Sequence, residues 1–411
     1  MRERLPGPFL RKLSIRSYKS IATCQVSLKP LTVLVGRNGS GKSNFLDAVH
    51  FVTDALLTSL DHALKSRGGI GDVRRRSTGH PTNFAIKLEI ALPGYRLATY
   101  GFEIAAREKS GFAVKEELLE IRDRSDRVVA QFKRDDHGVV ARIGGEQVTV
   151  LPPVISDRLY LVNAAGFPEF RSAYDALLAM GFYNLNPDAI KELQSPDAGE
   201  ILHGDGSNIA SVIARLNSEE PEILQRIKTY LAKIIPSIEN VERIPLGPRE
   251  TIQFGQKVQG AQYPWRFYAS SMSDGTLRAL GALVAVTQFA GADYPIQLVG
   301  IEEPETALHP AAAGALMEAL REATPHTQVL VTSHSPDLLD QIDMQRDALL
   351  VVASENGNSW IAAPDAASKE AIRTHLYSPG EMLRMDQLQP DPEEVRRQEQ
   401  LDLFDQLAVS A

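Results

Sequence analysis

Four short runs in this sequence hold residue types suited to phosphate chemistry. The first is Gly36-Arg37-Asn38-Gly39-Ser40-Gly41-Lys42-Ser43, which fits the pattern G-x-x-x-x-G-K-[ST]. Its glycines let successive backbone N–H groups turn inward around an anion. Lys42 is a point charge for the β- and γ-phosphates of a nucleoside triphosphate, and Ser43 offers a hydroxyl to Mg²⁺. Gly36, Asn38, Gly39, Ser40, Gly41 and the following Asn44 complete the expected nucleotide-binding set. The second run, QLVGIEEPETALHP, carries three glutamates, Glu302, Glu303 and Glu305. The third is Thr332-Ser333-His334-Ser335-Pro336. The fourth is Ser273-Asp274-Gly275, a polar turn that by itself is only a good helix N-cap.

The elements around these runs supply their positions. Leu31 to Val35 is a short β-branched apolar run, consistent with a buried strand. After the glycine loop, Phe45, Leu46, Val49 and Val52 fall on one helical face. Strand, glycine loop and helix form the context that confirms a phosphate loop. Ile296 to Ile301 reads as a strand ending in the acids, and Val329 to Val331 as a buried parallel strand ending in the histidine. In open α/β sheets ligands sit at that carboxyl edge. Glu302 is then expected to approach Mg²⁺ through a water, and Glu303 to polarise an attacking water. His334 is placed to donate to the γ-phosphate or to that water. Glu305 follows Pro304, which turns the chain away, so it reads as a subunit-contact residue. Leu277, Leu280, Leu283 and Val284 form the apolar face of a helix whose N-terminus, at Ser273 and Gly275, offers a second anion site.

The order of the motifs resembles the ATPase heads of the ABC superfamily, in the branch that includes the RecF, SMC and OLD-type ATPases. GRNGSGKS looks like Walker A, MSDGT like the signature, LVGIEEPE like Walker B, TALHP like the D-loop, and His334 like the switch histidine. SYKS, in the opening hairpin, brings Lys19 in as a nucleotide candidate. HGDGSNIASVIARL is similar to a run between the motifs of many RecF-like ATPases. The resemblance implies an α/β P-loop NTPase fold: an ABC-type head with a mixed β-lobe, a central mainly parallel sheet and a helical insertion. It also implies ATP and Mg²⁺ as cofactors. Two heads would pack head-to-tail, with Ser273 and Gly275 of one copy meeting the γ-phosphate on the Walker A loop of the other. The departures are Glu302 in place of the usual aspartate, Asp274 and Thr276 in the signature, and His309 in the D-loop. No Q-loop glutamine can be placed: neither Gln194 nor Gln131 fits.

Composition bounds the rest. The chain has 411 residues, 43% of them hydrophobic, enough to bury a large core. A net charge of −8 argues against coating nucleic acid through bulk positive charge. One cysteine, Cys24, excludes an internal disulfide, and a cytoplasmic setting fits. No apolar run reaches membrane-spanning length, so no membrane partner is expected. The expected organisation is one head over 1–385. It comprises a Walker A lobe with an antiparallel β-subdomain (10–165), a helical subdomain (166–245) and a signature, Walker B and histidine lobe (246–385). A tail follows (386–411), in which Leu401, Phe404 and Leu407 would line one face of a helix that docks a partner or folds back. No long heptads, and hence no coiled-coil arm, are present. Lys65, Arg67 and Arg74 to Arg76 form a loop that could contact DNA phosphates. The function expected is an ATP-hydrolysing sensor or motor with a separate effector such as a nuclease, in anti-phage defence or DNA repair. The alternative is an ATP-gated scaffold that assembles an oligomer around its effector with little need for turnover.

Overall fold

The computed structural model describes residues 8–76, 83–94, 96–107, 111–288, 296–400 and 403. Leu31–Val35 is buried at every position, as a strand flanked on both faces must be. It pairs in parallel with Gln328–Ser333, which pairs with Leu298–Glu302, which pairs with Met180–Tyr183 at the edge. On its other side lies Ala348–Glu355, also parallel. The register sets Val35 opposite Ser333 and Thr332 opposite Glu302. The chain therefore leaves three neighbouring strands at nearly one level, and the phosphate loop, the acids and His334 emerge side by side.

The antiparallel strands expected as a β-subdomain are continuous with this core. Ala348–Glu355 folds back into Asn358–Ala362, whose Ser359 pairs with Ile21. Beyond it follow Ile21–Ser27, Leu10–Tyr18, Asn83–Leu92, Arg96–Ala106, Phe112–Arg122, Val128–Asp135, Gly138–Ile143 and Glu146–Gln147, in one 14-stranded sheet. The helix Lys42–Leu57 packs on the junction. Its Phe51 meets Tyr18 and Phe84 edge-on at 5.9 and 5.4 Å between ring centres, a geometry aromatic pairs favour. The predicted apolar face Phe45, Leu46, Val49 and Val52 is buried.

The segment 166–245 holds strands as well as helices. Pro168–Leu178, Ile209–Glu219 and Pro221–Ile234 are helices, and Pro221 divides the last two by opening the second where its missing N–H costs nothing. Met180–Tyr183 and Ile238–Leu246, however, are strands. A four-residue apolar run carries no period of its own. Met180–Tyr183 takes its conformation from pairing with Leu298 to Ile301, more than a hundred residues away. Ile238–Leu246 joins Arg249–Gln256 and Trp265–Tyr268 in a second, three-stranded sheet. The next helix, Asp274–Thr287, is buried along nearly its whole length.

The tail folds back. Its helix, Pro392–Glu399, plugs Gln398 into the sheet, donating to the carbonyls of Gln25 and Ile361 at 3.0 Å each. The Leu403 carbonyl accepts from Lys87. Leu401, Phe404 and Leu407 lie outside the described residues. Among the described residues no helix is long and apolar enough to cross a membrane.

Candidate nucleotide site

The phosphate loop opens the helix Lys42–Leu57 directly, so its N–H groups stand at a helix N-terminus where an anion is favoured. Gly41 takes φ 108°, and a side chain there would strike Ser359. Only glycine suits both demands. Lys42 is buried, and its ammonium donates to the carbonyls of Gly36 and Arg37 at 2.9 and 3.2 Å. Burial lowers the Lys42 pKa, and Glu303, Glu305 and Glu302 act against that shift. Ser40 Oγ is buried without a partner.

The acids divide by direction. Glu302 is the last strand residue, and its Oε2 accepts from Ser43 Oγ at 2.8 Å. Glu303 leaves the strand with φ 43°, a left-handed conformation uncommon outside glycine, and such outliers cluster at functional sites. Its N–H bonds the Thr332 carbonyl at 3.0 Å. Its Oε1 lies 3.2 Å from His334 Nδ1 and 3.7 Å from Lys42 Nζ. One carboxylate thus faces the loop hydroxyl, and the other sits between the loop lysine and the histidine. Ser43 Oγ and Glu302 Oε2 are hard oxygen donors of the kind Mg²⁺ takes, so this pair fits that ion.

Glu305 departs from expectation. It is 8% exposed, and its carboxyl turns inward to Ser333 Oγ at 2.5 Å rather than outward to a partner copy. Around it the chain turns: the Thr306 N–H bonds the Glu303 carbonyl, the Leu308 N–H bonds the Glu305 carbonyl, and Ala307 takes φ 65°.

Ser273 caps its helix, accepting from the Thr276 N–H at 3.2 Å and pairing with the Thr276 hydroxyl at 2.7 Å. Thr276, a departure from the usual signature, thus completes the cap. Asp274 pairs with Lys191 at 2.6 Å. Gly275 packs so closely on the Ala307 carbonyl that a Cβ would overlap it.

A family model described as "AAA domain, putative AbiEii toxin, Type IV TA system" matches residues 31–139 and 210–340, more than half of the chain. The chain belongs to this AAA family. No curated protein matches it. Among solved structures, an SMC head bound to the C-winged helix domain of ScpA aligns with 15% identity and a TM-score of 0.53, over 89% of this chain and 100% of that one. The SMC head domain from Thermotoga maritima aligns with 16% identity over 86% and 98%, at a TM-score of 0.42. An SMC head from Pyrococcus furiosus with an extended coiled coil, bound to the C-terminal domain of ScpA, aligns with 13% identity over 90% and 99%, at 0.48. The fold is that of the SMC head domains.

Several residues of this AAA head take places that the motifs did not foretell. SYKS does reach the phosphate loop, but through Ser20. Asn44 Nδ2 donates to Ser20 Oγ at 2.7 Å, Ser20 bonds Ser359 Oγ at 2.7 Å, and Ser359 donates to the Ser40 carbonyl at 2.6 Å. This chain of hydroxyls supports the loop from below. The ammonium of Lys19 is instead paired with Asp47 on the loop's helix at 2.6 Å, where Tyr18 and Arg67 also bond. Gln194 is buried and accepts from the Ala210 N–H, and Gln131 lies in the antiparallel half. The edge strand beside Glu302 ends in Tyr183, and the next residue, Asn184, lines a cleft with Glu302, Asp47, His50 and Asp205. Gly204 and Asp205 bring the HGDGSN run to that same cleft, bonded to Asn184 and Asn186. Of the basic loop, Arg75 is bonded to Asn358, Arg76 to Asp72, and Arg67 to Asp47 and Asp54.

Proposed function

We propose that this head binds and hydrolyses ATP as a head-to-tail pair in the cytoplasm. It acts as sensor or motor for a separate effector protein, such as a nuclease, in anti-phage defence or DNA repair. The observation that carries this reading is the split between the two strand-end acids. Glu302 faces Ser43, while Glu303 sits within 3.2 Å of His334 and 3.7 Å of Lys42. Binding and proton transfer are thereby assigned to different carboxylates. Backbone N–H groups of residues 36–43 and Lys42 hold the phosphates. Ser43 and Glu302 hold Mg²⁺, which when bound partly neutralises the phosphate charge. Glu303 takes the proton of the attacking water, and His334, held against Glu303, orients that pair toward the γ-phosphate. Asn184, at the strand end beside Glu302, takes the place of a Q-loop glutamine. Ser273 and Gly275 serve the loop of the partner copy. The partner-bound SMC head and the toxin–antitoxin wording of the family description support a protein effector.

The test compares Glu303→Gln with Lys42→Ala, measuring phosphate release, equilibrium ATP binding and nucleotide-dependent dimerisation. Glu303→Gln is expected to slow turnover about 10²–10⁴-fold while still binding ATP and pairing. Lys42→Ala is expected to lose binding and pairing. Turnover at the wild-type rate in Glu303→Gln would overturn the assignment. The scaffold alternative predicts that Glu303→Gln keeps full activity in cells.

A further inference from the structure

Glu305 has no place in the mechanism above, yet its side chain is built into the site. Its Oε1 accepts from Ser333 Oγ at 2.5 Å, and its Oε2 is buried without a partner. Ser333 Oγ also accepts the Ser335 N–H at 3.0 Å. One hydroxyl therefore spans His334, bonded to the residue after the histidine and to the acid beneath it. A hydroxyl has a single hydrogen. Committing that hydrogen to Glu305 leaves the lone pairs for Ser335, so the turn carrying His334 has one hydrogen-bonded arrangement. The imidazole then meets Glu303 at 3.2 Å.

The facing turn, residues 303–307, is held against its own preferences. Glu303 and Ala307 are both left-handed, and Thr306 Oγ1, like Glu305 Oε2, is buried without a partner. Strained backbone and orphaned polar atoms persist only where the surroundings over-determine them. Here those surroundings are the Glu305–Ser333 bond on one side and the Gly275 contact with the Ala307 carbonyl on the other.

We propose that Glu305 is a positioning residue for the Glu303–His334 pair, acting through the hydroxyl of Ser333. The proposal rests on the ATP-hydrolysing reading. Burial pushes the Glu305 carboxyl above its ordinary range. The bond needs only an acceptor oxygen at the Oε1 position, which the amide oxygen of glutamine also supplies. Methionine keeps the length and loses the acceptor.

The experiment measures kcat, KM and equilibrium ATP affinity for the full chain and its variants. Glu305→Met and Ser333→Ala are each expected to lower kcat about tenfold or more, with ATP affinity within about twofold of wild type. Glu305→Gln is expected to recover most of that loss, which a residue needed only as bulk or as charge would not allow. Losses in the double variant Glu305→Met/Ser333→Ala should match one single loss, since both remove the same link. Wild-type kcat in Glu305→Met or in Ser333→Ala, additive losses in the double variant, or a Glu305→Gln no better than Glu305→Met would each overturn the proposal. Lys42→Ala separates the two layers. If the wild-type chain shows no Lys42-dependent turnover, the hydrolysis reading falls and this one with it. If it does and the Glu305 variants are unaffected, this one falls alone.

Discussion

The two halves of the one sheet treat their carboxylates in opposite ways. In the antiparallel half, Glu117 is fully buried and surrounded by donors: the Tyr100 hydroxyl at 3.0 Å, the N–H groups of Tyr160 and Leu161, and Arg134 at 3.8 Å. Glu103 beside it takes Arg16, Asn83 and Lys115. At the carboxyl edge of the parallel half, Glu302 and Glu303 are partly open, one is left-handed, and a third acid keeps one oxygen unpartnered. Saturated acids fasten a scaffold, whereas unsaturated ones are free to exchange partners with a ligand. The open carboxylates lie at the same edge as the candidate site.

That contrast can be broken at either end. The largest effect is expected from Glu117→Leu, which strands two N–H groups, a phenol and the buried Arg134. Unfolding stability should fall by about 3–5 kcal/mol, read by denaturant titration, while the folded fraction still binds ATP. Burial raises the Glu117 pKa from 4.5 to about 7. An acid raised in this way binds its proton more tightly when folded. Its contribution is therefore fully present below pH 4.5 and lost as pH rises through 7. Glu117→Gln should flatten that limb of the stability–pH curve; an unchanged curve would show that Glu117 does not titrate there.

Next is Gly41→Ala, which strains a left-handed position and drives a methyl into Ser359. ATP affinity should drop about tenfold to a hundredfold. Gly39→Ala should cost less, because its Cβ meets no neighbour. Equal losses would mean that the hydroxyl support under the loop is unimportant. The smallest effect is expected from Arg75→Ala/Arg76→Ala. Both guanidiniums already have partners in Asn358 and Asp72. DNA affinity should change less than about twofold at low and high salt. A loss that shrinks as salt rises would restore this loop as a DNA contact.

What was legible in the sequence is what the chemistry forces to be contiguous. A phosphate cradle needs its glycines, lysine and serine in one loop, and acids or histidine at a strand tip need a short apolar run before them. Residues 36–43, Glu302, Glu303 and His334 were visible for that reason, and the register of three parallel strands brings them level. Ser359 and Asn184 were invisible because each is ordinary in its own neighbourhood. Their contacts are made with partners across the fold. Glu305 was visible as an acid but misdirected, since Pro304 shows that the chain turns and not which way the next side chain points. The strand Met180–Tyr183 was missed on the same ground: its conformation is decided by a distant neighbour rather than by its own four residues.

The support beneath the phosphate loop has a consequence for how the protein is made. Ser359 is 319 residues beyond Ser40, the residue whose carbonyl it holds. A ribosome therefore makes the phosphate loop more than three hundred residues before it makes the hydroxyl that braces it. A nascent or truncated chain that stops before Ser359 carries every nucleotide-binding residue of residues 36–44 without the hydroxyl that braces them.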